Sequence, residues 1–454
     1  MNIINESENK RLLRQQRKRE SSAISYPKRI PIAISEAEGI FVKDMEGKTY
    51  MDFLSGAGTL ALGHNHPFVI QAITKVLNEK KPLHTLDLTT LVKEEFIDEI
   101  FSSLPSDFRS KAKIQFCGPT GADAIEAALK LVKTATGRSN ILSFHGAYHG
   151  STHATMALSG NLGPKEQVPG LMPNVHFLPY PYEYRNPFGK TLEGCHEISS
   201  KYIEHLLDDP ESGILPPAAM IFEAVQGEGG SIPAPIKWIQ EMRRITKERE
   251  IPLIIDEVQT GIGRTGKMFS FEHAGIVPDV IVLSKAIGGS LPLSVVIYHE
   301  KLDQWSSGAH IGTFRGNQLA MVAGTATMKF IKENNIIKNV EIMGEKLKNS
   351  LQLFKEEIPQ IGDVRGRGLM VGVEIVDTSQ KPLNNGAYPY NPNLALQIQK
   401  ECFNRGLILE VGGRKGCVIR FLPPLNIRET QLNKAIDIFK ESVKAALRKK
   451  GEEL

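Results

Sequence analysis

Three apolar runs in the middle of the chain end in residues that can do chemistry. Ile221-Phe222 ends in Glu223, Leu253-Ile254-Ile255 ends in Asp256-Glu257, and Val280-Ile281-Val282-Leu283 ends in Ser284-Lys285. None of these runs alternates with polar residues, which is the pattern of strands buried on both faces of a parallel sheet. In an open parallel sheet, ligands bind beyond the carboxyl ends of the strands. The sequence therefore predicts a lysine and several acids at one sheet edge. Burial lowers the pKa of a lysine and makes its amine a nucleophile toward carbonyl groups. Lys285 is the candidate for that role.

Other segments fit the same chemistry. A pyridoxal cofactor held by a lysine needs an acid at its ring nitrogen, and Asp256 is placed to supply one. Gly118-Pro119-Thr120-Gly121-Ala122 leads into a predicted helix. Small residues let the backbone approach an anion, and the free N–H groups at a helix start bind it. The plainer reading is a glycine-rich turn with Thr120 as the cap. His145-Gly146-Ala147-Tyr148-His149-Gly150 follows a predicted strand at 140–144 and offers an aromatic ring for stacking. The histidines at 145, 149 and 153 have the spacing of zinc ligands on a helix. Gly146 and Gly150 oppose a continuous helix there, and no metal is assigned. Asp256-Glu257 also resembles a magnesium pair, but the G-x-x-x-x-G-K-[ST] phosphate loop of nucleotide hydrolases is missing.

These residues need a scaffold. A chain of 454 residues is too long for one compact core. Residues 1–84 read as an N-terminal segment belonging to a small domain, 85–335 as a large cofactor-binding domain, and 336–454 as a C-terminal small domain. The first zone holds short strands at 39–44 and 49–53 around a turn at Glu46-Gly47. The middle zone alternates strands near 114–117, 140–144, 218–224, 252–255 and 279–283 with a helix at 124–134. That alternation predicts a doubly wound α/β domain. Val364 to Glu374 reads as a loop followed by a strand. The basic stretch Lys10 to Arg19 reads as a solvated helix.

With 55 basic against 51 acidic residues, the charge is too even for a nucleic-acid partner. Four cysteines are scattered without a CxxC pair. They predict free thiols and a cytoplasmic location. No apolar run approaches the length needed to span a membrane.

At this point the chain resembles the class III, or ω-amino acid, aminotransferases of pyridoxal-phosphate fold type I, from about Tyr26 onward. The residues that carry the likeness are Leu253 to Gly261, Pro278-Asp279 and Ser284-Lys285-Ala286-Ile287-Gly288-Gly289. The resemblance implies a large doubly wound domain with a mostly parallel sheet, and a smaller α+β domain built from both chain ends. It implies pyridoxal 5'-phosphate as cofactor. Lys285 would hold it covalently and move the substrate proton, with Asp256 at the ring nitrogen. Val258 would pack under the ring and Gln259 would meet the ring oxygen. Thr120, Gly121 and Ala122 would hold the phosphate, and Tyr148 would stack with His149 beside it. His310 to Asn317 resembles the segment whose threonine, here Thr313, reaches the neighbouring subunit's phosphate. That contact implies a homodimer with shared sites. The family usually has proline after the asparagine, where this chain has Gln318.

The same resemblance speaks to substrate. Glu223 to Gly230 resembles the family's gate segment, with Glu228 as the switch covering Arg420, the binder of α-carboxylates. Glu223, Glu228 and Arg420 are thus expected at the substrate. Relatives acting on ornithine, acetylornithine or 4-aminobutyrate read Tyr-His-Gly-Arg where this chain has Ser151. Gly56 to Pro67, Leu83 to Thr90 and Ser25-Tyr26-Pro27 resemble the diaminobutyrate branch. The implied reaction links aspartate 4-semialdehyde and glutamate with L-2,4-diaminobutyrate and 2-oxoglutarate. Alternatives are a 4-aminobutyrate, ornithine or lysine donor, or a non-catalytic binding protein on the same fold.

Overall fold

A computed structural model describes residues 6–189 and 194–449. Its centre is a seven-stranded sheet. Ala112–Phe116, Val295–His299, Val280–Leu283, Leu253–Asp256, Ala219–Phe222, Ile141–Phe144 and Val175–Leu178 lie side by side in that order. Only Val295–His299 runs against its neighbours, pairing antiparallel on both sides. The four strands from Ile141–Phe144 to Val280–Leu283 are buried at every position. That burial explains their unbroken apolar sequence.

Helices cover both faces. On one, Ala124, Ala128 and Leu131 of helix Gly121–Thr136 pack on Ile221, Ile254, Val280 and Val282. On the other, Trp238, Met242 and Ile245 of helix Ile236–Glu248 pack on Phe222, Leu253 and Ile255. The doubly wound expectation holds. Helix Gly121–Thr136 begins earlier than its apolar spacing predicts. A reciprocal cap between Thr120 and Asp123 adds the extra turn, and left-handed Gly137 ends the helix.

The chain ends build smaller sheets. Ile34–Glu38, Phe41–Asp44 and Thr49–Asp52 form an antiparallel meander. Leu407–Ile408 joins it parallel to Thr49–Asp52, so both ends of the chain share one sheet. A second sheet orders Ile361–Arg367, Met370–Ile375, Val418–Phe421 and Glu410–Gly412. Here the sequence reading is corrected. The part of Val364 to Glu374 read as loop is a strand, and the whole is a hairpin. Two glycines and three charged residues in Ile361–Arg367 hide the strand pattern. Arg365 is nevertheless buried, because Asp363 and Glu374 neutralise it at 2.9 and 2.8 Å.

The helix expected at Lys10 to Arg19 runs Glu8–Arg19. All four cysteines are free and buried. Among the described residues, no helix is long and apolar enough to cross a membrane.

Trp238 anchors one layer of this arrangement. Its ring meets Phe144 and Phe222 at centroid distances of 5.1 Å, and its indole N–H donates to Ser199 Oγ at 3.1 Å. Trp238→Ala should destabilise the protein by about 3–5 kcal/mol. Leu353→Ala, at a 64% exposed position, should stay within about 0.5 kcal/mol. Shifts in the urea midpoint measure both.

Candidate active site

A cavity of about 450 Å³ opens at the carboxyl ends of the central strands. Lys285, Asp256, Glu223, Glu228, Tyr148, His149, Val258, Gln259 and Thr120 to Ala122 all line it. The structure thus brings together every predicted site residue except Arg420, which contacts the lining from behind, and Thr313.

Lys285 follows strand Val280–Leu283 after Ser284 and carries φ of +50°. A non-glycine residue in that region costs on the order of 1–3 kcal/mol, a strain found where function fixes the backbone. Burial pushes the amine below the ordinary lysine value, against the opposing pull of the Glu228 carboxylate.

Asp256 is the last residue of its strand. Its Oδ2 lies 2.7 Å from His149 Nδ1, and its Oδ1 accepts the Val258 N–H at 3.0 Å. A carboxylate only accepts, so His149 Nδ1 carries the proton. His149 is buried and its Nε2 has no partner among the described residues. Glu257, next in the chain, serves elsewhere. It accepts from Ser270 Oγ and Thr260 Oγ1, both at 2.6 Å, and so anchors the following turn.

Glu223 ties two loops together. Its oxygens accept the Tyr148 N–H at 3.0 Å and the Gly227 N–H at 2.9 Å. Burial raises its carboxyl to about 7. The loop bearing the aromatic ring and the loop bearing Glu228 therefore share one strut.

Arg420 is fully buried on strand Val418–Phe421. Its Nη1 donates to Glu228 Oε1 at 2.7 Å and to Glu410 Oε2 at 3.0 Å. Its Nη2 donates to Gln259 Oε1 at 2.7 Å. Burial raises the Glu228 carboxyl, but the Arg420 charge outweighs it and holds that group below the usual carboxylate range. Burial also raises the Glu410 carboxyl, and there it prevails. Glu410 accepts from the Tyr26 hydroxyl at 3.2 Å.

Glu410 was not singled out in the sequence, and Tyr26 was named only within a resembling segment, with no role at the site. Glu410 faces Arg420 by antiparallel register between two short strands. Tyr26 arrives from the other end of the chain. Neither pairing leaves a local sequence signal.

The crevice fits a phosphate-bearing pyridine cofactor. A Cβ on Gly121 would stand 2.9 Å from both γ-carbons of Val258. The helix start therefore abuts Val258, whose N–H in turn holds Asp256. An anion site, an apolar ring contact and an acid for a ring nitrogen are contiguous. Ser151 bonds the Tyr148 hydroxyl at 3.2 Å.

Thr313 lies outside the cavity of its own chain. Its carbonyl accepts from His84 Nε2 at 2.6 Å, beside exposed Ile311 and Phe314. Gln318, in place of the family's proline, is buried in the first turn of helix Gln318–Glu333. It accepts from Thr90 Oγ1 at 2.7 Å and donates to Thr85 Oγ1 at 3.2 Å. The departure thus pins this helix to the 85–90 segment.

Comparisons with known proteins agree with this geometry. The model of the class-III aminotransferase family matches residues 23–443. A diaminobutyrate–2-oxoglutarate aminotransferase of Rhizobium meliloti is 54% identical over 93% of this chain and 90% of its own. One from Haemophilus influenzae is 51% identical over 97% and 96%. Among solved structures, an ornithine aminotransferase from Toxoplasma gondii is 23% identical, with a TM-score of 0.81 over 99% of this chain and 97% of its own. A transaminase from ancestral reconstruction is 24% identical, with a TM-score of 0.86 over 97% and 99%. These last two likenesses concern the fold. The chain belongs to the class III aminotransferases.

Proposed function

We propose that this protein is a pyridoxal-phosphate-dependent aminotransferase that exchanges the 4-amino group of L-2,4-diaminobutyrate with 2-oxoglutarate, giving aspartate 4-semialdehyde and glutamate reversibly. The observation that carries the chemistry is Lys285 sharing one crevice with Asp256 and the Thr120–Ala122 helix start. Support for the substrate comes from relatives bearing that activity's name at 54% and 51% identity. When bound, pyridoxal phosphate supplies the carbonyl that takes up the amine and the ring that accepts electrons when a carbon–hydrogen bond breaks.

The chain's own residues do the rest. Thr120, Gly121 and Ala122 hold the phosphate through the helix start. Tyr148 and Val258 hold the ring, with Gln259 at its oxygen. Asp256, oriented by His149, keeps the ring nitrogen protonated. Lys285 Nζ would take the proton from the substrate carbon bearing the amine and deliver it to the carbon on the other side of the transferred nitrogen. Arg420 binds the α-carboxylate of 2-oxoglutarate once Glu228 moves off. Glu410 stays on Arg420 throughout and keeps the buried guanidinium from standing uncompensated. With Glu228 in place, Arg420 is covered and a distal amine can enter.

Thr313 supports a shared dimer site. It stands beside Ile311 and Phe314, which are 73% and 77% exposed. Apolar exposure on this scale suits a second copy of the chain. The buried, unpaired thiols support a reducing, cytoplasmic setting.

With 2-oxoglutarate as acceptor, diaminobutyrate should outperform ornithine, 4-aminobutyrate and lysine in kcat/KM. A better rate with any of the other three rejects the substrate assignment. Lys285→Ala should lower kcat by roughly 10²–10⁴-fold and abolish borohydride-dependent attachment of the cofactor, read by mass spectrometry.

Arg420→Ala should raise the KM for 2-oxoglutarate about 10–100-fold. By stranding two carboxylates it should also cost about 3–5 kcal/mol in urea unfolding. Sedimentation should find a dimer. Phe314→Glu should yield monomers of low activity, and an unchanged dimer would remove Phe314 from the interface.

A further inference from the structure

A second cavity, apart from the one that holds Lys285, has about twice its volume. It has a volume of about 980 Å³ and shares no lining residue with the active-site crevice. The 145–150 segment separates the two. His145 and Gly146 line the large cavity, while Tyr148, His149 and Gly150 line the catalytic one. Its size lies at the upper end of ordinary metabolite sites.

The charges facing it have one sign. Arg414, Lys165 and Arg185 line the cavity, and no aspartate or glutamate does among the described residues. Arg414 makes no hydrogen bond or ion pair among the described residues. Its guanidinium only rests over the Tyr182 ring, 4.9 Å from the centroid.

Arg185 is 6% exposed and stacks on Tyr390 at 3.7 Å. Its Nε donates to Glu374 Oε1 at 2.5 Å, yet Nη1 and Nη2 have no acceptor among the described residues. Unmet buried donors are costly, and an arginine presents them in the planar fork that matches carboxylate and phosphate. Burial lowers the His145 pKa, and the nearby Arg414 charge lowers it further. The acids near Arg185 are already engaged. Glu374 serves Arg185, Arg365 and the Tyr182 hydroxyl, and Asp363 pairs with Arg365. Arg414 is left over.

We infer that this cavity is a second binding site, for a multiply charged metabolite bearing carboxylate or phosphate groups. Arg414 and Lys165 supply the charge at its mouth, Arg185 supplies the inner fork, and the rings of Tyr182 and Tyr390 supply the apolar walls.

Calorimetric titration of the holoenzyme tests the site, with citrate, inorganic phosphate and adenosine monophosphate as probes. Each titration is run with and without saturating 2-oxoglutarate, so that binding in the catalytic crevice is told apart from binding here. At least one probe should bind, with affinity that falls as salt rises. Arg414→Gln should weaken it about tenfold or more, and Lys165→Gln should weaken it as well. Arg414 makes no hydrogen bond or ion pair among the described residues and only rests on Tyr182, so the first variant should keep the melting temperature of the parent within a few degrees. Citrate binding alone identifies a carboxylate ligand. Binding of phosphate and the nucleotide identifies a phosphate ligand, with tighter nucleotide binding reporting the tyrosine walls. Failure of all three probes overturns the inference, as does binding indifferent to both substitutions or abolished by 2-oxoglutarate.

Discussion

An amine attacks a carbonyl only when it is unprotonated, and the site around Lys285 is arranged by that constraint. Burial favours the neutral amine, but Glu228, Asp256 and Glu223 favour the charged one. A free carboxylate about 4 Å away at a protein-like dielectric contributes ~4 kcal/mol, equivalent to about three pKa units. Such a field would undo the desolvation. Each carboxylate has its own engagement instead. Asp256 is bonded to His149, Glu228 to Arg420, and Glu223 to two backbone N–H groups. Arg420 adds its own positive field. The acids are close enough to serve a ligand, while their charge is answered by groups other than the lysine.

The same economy governs Arg420. A lone buried guanidinium facing one mobile glutamate would be left uncompensated each time the glutamate moved. Glu410 removes that difficulty, because it sits opposite Arg420 by strand register and does not depend on Glu228. In the proposed mechanism Glu228 is thus free to exchange with a substrate carboxylate at modest cost. One carboxylate, Glu223, holds both Tyr148 and Gly227 in place. In that mechanism it would join substrate entry to ring position through a single side chain.

Much of this was legible in the sequence, for a physical reason. Strands buried on both faces must be apolar throughout, so Val280–Leu283 and Leu253–Asp256 stand out, and so does any charged residue where they stop. Lys285, Asp256 and Glu223 were visible on that ground alone, and the family resemblance supplied Glu228, Arg420 and Thr313. Features set by pairing between distant segments were hidden. Glu410 depends on the register of two short strands. The strand in Ile361–Arg367 is masked by glycine and by charges neutralised elsewhere. Val295–His299 gives no sign in its own residues that it runs against the rest of the sheet. The partner of His149 was out of reach for the same reason, since it lies 107 positions along the chain and nothing between carries a trace of the contact.

The central claim is that the distal nitrogen of the donor, rather than its α-nitrogen, reaches the carbon chemistry at Lys285. The most direct measurement supplies L-2,4-diaminobutyrate labelled with ¹⁵N only at position 4, together with unlabelled 2-oxoglutarate, and follows the label by mass spectrometry. The account predicts that all glutamate formed carries ¹⁵N and that its yield equals that of aspartate 4-semialdehyde. Unlabelled glutamate, with the ¹⁵N retained in the keto product, would contradict it.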